Sequence, residues 1–416
     1  MNKQVLIVHP TGNANVRQAV LALHETARLA AFHTTVAWKS DSFLGRVLPS
    51  RYRAILARRG YPGIPPHLIH LHPWNEVARL MSIKLKLTHL HRNEVGLFCF
   101  ESMTNALDDA VARIVTSYRK QDRAPAAIYA YDGCALKSFI AAKRRGIRCL
   151  YEVPVSYYQS YSKLLLEEKE INSEWASTWT GNDDSPEKLQ RKDLEVELAD
   201  ALFVASTYSA QALKAFPGAH GKSIYKIGYG APAIGPARMV TSKENPLRVL
   251  YVGSLSQRKG ISYMFQAMDQ LTIPFHLTLV GRGFAYPKIL QDRLSRYEWI
   301  ETTPHGKVLE LMREHDVLVF PTLTDGFGLV ILEAMSQGTV VISTPNSAAP
   351  DVIEDGKSGL IVPIRNADSI AAALTRFHED RDYLAQMSEA ARRTAEEFTW
   401  ESYRTQWSEA ISECLA

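Results

Sequence analysis

Apolar positions fall along this chain in two series of short runs, each run ending in a polar or glycine-bearing loop and followed by a stretch of helical period. Gln4-Val-Leu-Ile-Val8 is a continuous apolar run that stops at His-Pro-Thr-Gly-Asn. That is the pattern of a parallel strand covered on both faces and opening into a loop. Behind Gly12, residues Val16, Val20, Leu23, Ala27 and Ala30 recur at helical spacing, and Thr34 to Trp38 reads as the next strand, completing a βαβ unit. The alternation returns as strand Ala126 to Tyr131, helix Leu136 to Arg145, strand Cys149 to Val153 and strand Ala201 to Ala205. Residues 1–230 are therefore predicted to form a doubly wound domain.

Between its strands lies an insertion over about 156–200, which carries Tyr157, Tyr158, Tyr161, Trp175 and Trp179. A helix restarts at Ser185-Pro-Glu187, with Ser as cap and Pro in the first helical position. Two readings stand for this insertion: a lid or acceptor-binding element, and a helical hairpin that buries its aromatics on its own domain. Gly, Pro and polar residues then concentrate from Gly228 to Pro246, so residues 231–246 read as a linker.

The second series occupies 247–398, with strands at Arg248 to Gly253, His276 to Gly281, Val317 to Pro321, Thr339 to Ser343 and Gly359 to Val362. It predicts a second doubly wound domain. A final helix over 399–416 carries Tyr403, Trp407 and Ile411 at four-residue spacing, a stripe that needs a large apolar surface, and it is expected to cross back to the first domain.

Length agrees with this division, because 416 residues exceed the roughly 250 to 300 at which single cores stop growing. A net charge of +4 makes no case for a nucleic-acid partner. The excess is local: from Lys39 to Arg92 there are ten Lys or Arg against Asp41 and Glu76, with apolar residues interleaved. Such a stretch reads either as a solvated basic surface or as a peripheral contact with anionic lipid or an acidic acceptor. Cys99, Cys134, Cys149 and Cys414 lie far apart, without the paired spacing of zinc or redox sites, and read as reduced thiols of a cytoplasmic protein. No apolar stretch approaches the ~20 residues of a membrane span. The chain is expected to be soluble, or peripheral at the inner membrane face.

Chemistry is expected where loops leave buried strands at the carboxyl edge of each sheet. In the second domain one such loop is Gly253-Ser-Leu-Ser-Gln-Arg-Lys-Gly260, which puts Arg258 and Lys259 at the start of a helix, where side-chain charge and helix dipole add to make an anion site. Further on, Pro321-Thr-Leu-Thr-Asp-Gly-Phe-Gly-Leu-Val-Ile-Leu-Glu333 holds two carboxylates eight positions apart, Asp325 before a helix starting near Gly328 and Glu333 on its second turn. Carboxylates accept paired hydrogen bonds from vicinal hydroxyls, and the amides of Gly326 to Leu329 add donors, which suits ribose at one end and a sugar ring at the other.

These motifs, in this order and separation, resemble family 4 of the retaining GT-B glycosyltransferases. The likeness extends to the glycine loop after the first strand, Glu197-Leu-Ala-Asp-Ala-Leu-Phe-Val-Ala-Ser206, Gly228-Tyr-Gly230, Leu279-Val-Gly-Arg-Gly283 and Thr399-Trp400. It implies two Rossmann-like domains facing a central cleft. It implies a hexosyltransferase-type enzyme moving a sugar from a UDP- or GDP-sugar to a glycan or lipid-linked glycan, with retention of configuration and no metal or other cofactor. Arg258 and Lys259 would bind the donor diphosphate and offset the charge of the leaving nucleotide, and Glu333 would hold the ribose. Asp325 with the backbone of Gly326, Phe327, Gly328 and Leu329 would hold the transferred sugar and distal phosphate. Gly12 and Asn13 of the first loop, and Gly253, Ser254 and Arg282 of the second domain, would complete the donor site. A donor phosphate oxygen would take the acceptor proton, so no protein nucleophile is required.

Three positions depart from the family pattern. Ser254 stands where an Arg is common, so Arg258 is expected to supply the cation. Asp325 replaces the usual Glu and is one methylene shorter. Tyr131-Asp132-Gly133 occupies the place of a frequent His, leaving Tyr131 and Asp132 as candidate acceptor or sugar contacts. The pairs His70/His72 and His89/His91 have a spacing that can bind metal from a strand but lack a third ligand, and Asp380-Arg-Asp382 falls between helices. Gly281-Arg-Gly283 lacks the third glycine of a dinucleotide site. A nucleotide-sugar 2-epimerase and a non-catalytic subunit of the same architecture are the alternatives.

Overall fold

The computed structural model describes residues 3–38, 59–118, 124–179, 184–237 and 242–416. The first sheet contains β1 (Val5–Val8), β2 (Leu29–Thr34), β3 (Ile69–Leu71), β4 (Ala127–Tyr131), β5 (Arg148–Glu152), β6 (Ala201–Val204) and β7 (Ser223–Lys226), in the order β3-β2-β1-β4-β5-β6-β7. The second contains β8 (Leu247–Val252), β9 (Phe275–Val280), β10 (Glu298–Ile300), β11 (Val317–Phe320), β12 (Val340–Ser343) and β13 (Leu360–Ile361), in the order β10-β9-β8-β11-β12-β13. Every paired strand in both is parallel. The strand order reverses between β1 and β4 and again between β8 and β11. Those are the switch points at which open α/β sheets take ligands.

The continuous apolar runs are buried on both faces, as parallel strands flanked by helices must be: Val5 to Val8 and Val317 to Val319 have no exposed surface. The second strand lies five residues earlier than its pattern suggested, at Leu29–Thr34 instead of Thr34 to Trp38. Helix Ala14–Glu25 stops where the Thr26 hydroxyl donates to the Ala22 carbonyl at 2.9 Å, and Ala27 then takes a left-handed φ of 53°. Ala27 and Ala30, which continue the helical spacing, thus belong to the turn and to the strand. The short strands β3, β7 and β10 carry no long apolar run and leave little periodic signal.

The insertion forms helix Tyr158–Ile171, a 3₁₀ segment Ser173–Thr178 and helix Pro186–Leu198, the last capped by Ser185 accepting from the Lys188 amide at 3.2 Å. Its tyrosines Tyr157 and Tyr158 pack on the core of its own domain. Its tryptophans are buried, but against the second domain: Trp175 joins the core around β8 and stacks 5.9 Å from Phe265, while Leu165 and Trp179 pack with Tyr263 and Leu323. Tyr229, just before the linker, packs against Phe327 of the second domain; of the linker 231–246, residues 238–241 lie outside the described residues. Helix Trp400–Leu415, capped by Thr399 at 3.0 Å from the Ser402 amide, buries Tyr403, Trp407 and Ile411 among Val5, Ile7 and Phe203. It therefore packs on the first domain.

Of the basic stretch, Lys39, Arg46, Arg51, Arg53 and Arg58 lie outside the described residues. Arg59 and Arg79 both pair with Glu76, whereas Lys84, Lys86 and Arg92 are exposed. His72 Nε2 lies 3.1 Å from His33 Nδ1, with His70 stacked on the same ring; His91 meets Ser82 at 3.1 Å, and His89 is exposed. Among the described residues, no three His, Cys, Asp or Glu converge as metal ligands.

Candidate functional site

In the second domain the loops after β8 and β11 meet at the switch point. Gln257–Lys259 is a single 3₁₀ turn leading through Gly260 into helix Ile261–Gln270. This turn carries Arg258, whose guanidinium donates to the Thr324 carbonyl at 3.2 Å, and Lys259, whose ammonium forms an ion pair with Asp325. Burial favours the neutral form of Asp325, but the charges of Lys259 and Arg258 outweigh it and hold the carboxyl below its usual range. Burial also lowers the Lys259 ammonium; Arg258 pushes the same way and Asp325 opposes them. Two cations and one carboxylate thus share a poorly hydrated corner, which leaves a local excess of positive charge.

Asp325 leads into a loop that ends at Gly328, the cap of helix Leu329–Ser336. Gly326 and Gly328 are buried, Leu329 is exposed, and the Phe327 ring is buried 4.9 Å from Tyr229, so Phe327 offers only its backbone to a ligand. Its amide faces Asp325 Oδ1 at 3.4 Å. Gly326 is a point of close approach between the domains, because a Cβ there would overlap the Pro154 carbonyl and stand 2.7 Å from Val155 Cα. Its own carbonyl accepts from the Ser206 and Ser209 hydroxyls at 2.5 and 3.0 Å. Glu333 stands on the second turn of the helix, its carboxylate 2.9 Å from His305 Nε2. Gly253 ends β8 by donating to the Val280 carbonyl at 3.0 Å, and the Ser254 hydroxyl lies 3.1 Å from that of Ser256. Arg282 is set apart, largely exposed and 3.5 Å from Glu301.

In the first domain the loops after β1 and β4 meet through His9 and Tyr131, whose rings are 4.3 Å apart. His9 Nδ1 accepts from the Thr11 amide at 3.1 Å, and burial lowers its pKa to about 3, so the ring is neutral with its proton on Nε2. Asn13 caps helix Ala14–Glu25 at 3.2 Å from the Val16 amide. Gly12 is covered by Tyr61, whose hydroxyl would stand 2.8 Å from a Cβ. Asn15 donates to buried Glu152 at 2.7 Å and lies 3.4 Å from the Tyr229 hydroxyl, so a polar chain runs from this loop to the ring packed on Phe327.

Asp132 accepts from the Tyr151 hydroxyl at 2.8 Å. Buried Glu195 of the insertion pins the same loop by accepting from the amides of Gly133, Ala135 and Leu136 at 2.8, 3.1 and 3.0 Å. Tyr131 and Asp132 open onto a cavity of about 360 Å³, also lined by Phe100, Val155, Lys188 and Lys192. Burial raises the Tyr161 phenol, which also senses Lys192, Asp132 and Arg258. That residue packs against the cluster of Leu165, Trp179, Tyr263 and Leu323. Sequence reasoning missed Glu152, Glu195 and His305, because the partners that place them are distant in sequence and none sits in a recognisable motif; Gln257 sits in the loop before Arg258, but its partners Glu168 and Thr178 are distant.

Comparison with known proteins gives this geometry a context. Residues 238–394 match the family described as glycosyl transferases group 1. Among curated proteins, a putative colanic acid biosynthesis glycosyltransferase of Salmonella typhimurium is 28% identical over 186 residues, covering 41% of this chain and 46% of that protein. A phosphatidyl-myo-inositol mannosyltransferase of Mycolicibacterium smegmatis is 32% identical over 156 residues, covering 35% and 40%. The chain thus aligns with less than half the length of these relatives. Among solved structures, sucrose-phosphate synthase from Thermosynechococcus elongatus superposes with a TM-score of 0.66 at 18% identity over 99% of both chains. Anabaena HepE, solved with UDP, gives 0.64 at 16% identity over 99% of this chain and 100% of its own. The chain has the GT-B fold of two Rossmann-like domains, and its second domain matches the glycosyl transferases group 1 family over residues 238–394.

Proposed function

We propose that the protein is a retaining glycosyltransferase of family 4 that moves a sugar from a UDP- or GDP-sugar to a glycan or lipid-linked glycan without a metal ion. The observation that carries this reading is the grouping of half-buried Arg258 and Asp325 around buried Lys259 at the second-domain switch point. A diphosphate entering there meets two cations fixed in place, and charge that develops on the leaving phosphate is met without reorganisation. These cations do the work that a divalent ion does in other transferases. Glu333 holds the ribose hydroxyls in the place now taken by His305, and Asp325 with the backbone of the following loop holds the transferred sugar. The bond from the anomeric carbon to the phosphate oxygen breaks as the acceptor oxygen attacks the same face. The acceptor proton passes to the departing phosphate.

On the acceptor side, the cavity beside Tyr131 and Asp132 combines carboxylates, ammonium groups and the ring of Phe100, a lining that suits a polyhydroxylated ligand. Phe100 also borders a run of exposed apolar residues, including Trp74 (82% exposed), Val95 (73%) and Leu97 (67%), among which Lys84, Lys86 and Arg92 are interspersed. Apolar side chains with basic neighbours suit peripheral contact with an anionic bilayer, and a lipid-linked acceptor would reach the cavity from there. We place the enzyme in the cytoplasm, at the inner membrane face.

The test is incubation with a panel of UDP- and GDP-sugars and lipid extract in the presence of chelator. Product mass and anomeric configuration by NMR are then read. A product of donor-like configuration, formed with EDTA present, is expected. Epimerised donor without an acceptor product, or inversion, contradicts the reading.

A further inference from the structure

The insertion of the first domain is built into the second at the turn that carries Arg258 and Lys259. Glu168, at the end of helix Tyr158–Ile171, has no exposed surface. Its carboxylate accepts from Gln257 Nε2 at 2.6 Å, from the Tyr263 hydroxyl at 2.9 Å and from Arg365 Nε at 2.8 Å, all on the second domain. Ten residues on, the buried Thr178 hydroxyl accepts from the Gln257 backbone amide at 3.0 Å. Gln257 is thereby held at both its backbone and its side chain by residues of the other domain, and Arg258 follows it directly.

We propose that Glu168 and Thr178 are positioning residues for the donor phosphate: by fixing Gln257 they set where the 257–259 turn presents Arg258 and Lys259. A three-residue 3₁₀ turn has little internal hydrogen bonding to define it, so its geometry comes from outside partners. Here those partners come from both domains: Leu323 donates to the Arg258 carbonyl at 3.0 Å and Ser262 accepts from Gln257 at 2.6 Å within the second domain, while Glu168 and Thr178 of the acceptor-side domain hold the first residue of the turn. The placement of the cationic pair therefore depends in part on the docked insertion. A first domain that swung away carrying its insertion would strip buried Glu168 of Gln257, Tyr263 and Arg365, which is costly enough to keep insertion and second domain together. The inference rests on the donor-site reading above.

The test uses the full chain and calorimetric titration of UDP, GDP and the matching nucleosides, with thermal midpoints recorded alongside. Thr178→Val keeps the side-chain shape and removes the acceptor oxygen, and Thr178→Ser restores it. In Thr178→Val the nucleoside diphosphate is expected to bind at least tenfold more weakly, with nucleoside affinity unchanged and Thr178→Ser close to wild type. Gln257→Ala removes the other tie, the one its side chain makes to Glu168, and serves should Thr178→Val fail to fold; the same split is expected. Equal weakening of nucleoside and diphosphate would mark a general structural loss and overturn the inference, as would affinities within twofold of wild type. Lys259→Ala separates the two levels. If it weakens diphosphate binding while Thr178→Val and Gln257→Ala do not, only the positioning role fails; if Lys259→Ala has no effect, the donor-site reading fails with it.

Discussion

The Lys259 ammonium, on the turn after β8, is paired with the Asp325 carboxylate, on the loop after β11. The ion pair joins the two strands at which the second sheet changes direction, and it brings together the residues that the two motifs singled out separately. Removing one partner leaves the other charged and poorly hydrated. Asp325→Ala is therefore expected to do two things at once: destabilise the second domain and free Lys259 for other anions. Inorganic phosphate, titrated against the thermal midpoint, should raise the midpoint of the Asp325→Ala variant more than that of the wild type.

Gly326 has no room for a side chain beside Pro154. Gly326→Ala must push the loop away from the first domain, and overpacking of this kind costs about 1–3 kcal/mol. A lower thermal midpoint together with weaker nucleotide-sugar binding is expected. An unchanged affinity would mean that the loop's distance from the first domain does not matter to the donor.

Trp407 of the last helix is 1% exposed and lies edge-on to Tyr129, 5.1 Å between ring centres. Trp407→Ala is expected to destabilise the first domain by about 3–5 kcal/mol, read from denaturant unfolding. A loss below about 1 kcal/mol would show that the helix adds little to the first-domain core.

Glu152 is buried among Asn15 and the phenols of Tyr129, Tyr229 and Tyr403. Burial, only partly offset by hydrogen bonds from Asn15 and Tyr129, raises its pKa to about 7. The folded state therefore holds this proton more tightly than the unfolded chain does. Its contribution falls as pH rises from the unfolded value near 4.5 towards 7, and levels off above that. The full span is about 3 kcal/mol. Buried His9 and His33, both lowered to about 3, have the opposite slope below pH 6.5, so the difference between wild type and Glu152→Gln is the quantity to measure. The variant is expected to gain stability relative to wild type between pH 4.5 and 7. A flat difference would contradict a raised pKa.

Much of this was legible in the chain. Long apolar runs such as Val5–Val8 and Val317–Phe320 can only be buried parallel strands, and the cap at Thr399 marked the last helix within a residue. The second strand was misplaced because alanines at 27 and 30 extend a helical rhythm past a chain reversal that depends on the Thr26 back-bond and a left-handed Ala27. Of the candidate site, Arg258, Lys259 and Asp325 come together in space, because each sits at a strand end whose position the fold dictates. The role of the insertion was not legible: Glu168 and Gln257 are 89 positions apart, and nothing in either local sequence announces the other.

The central claim is that the second-domain corner binds the diphosphate of a sugar donor without a metal. Calorimetric titration of UDP- and GDP-sugars with EDTA present, into wild type and Lys259→Ala, tests it most directly. The account expects one donor class to bind wild type and to lose at least tenfold in affinity in the variant, about 1.4 kcal/mol. Failure of every nucleotide sugar to bind the wild type, binding that EDTA abolishes, or equal affinity in the two proteins would contradict it.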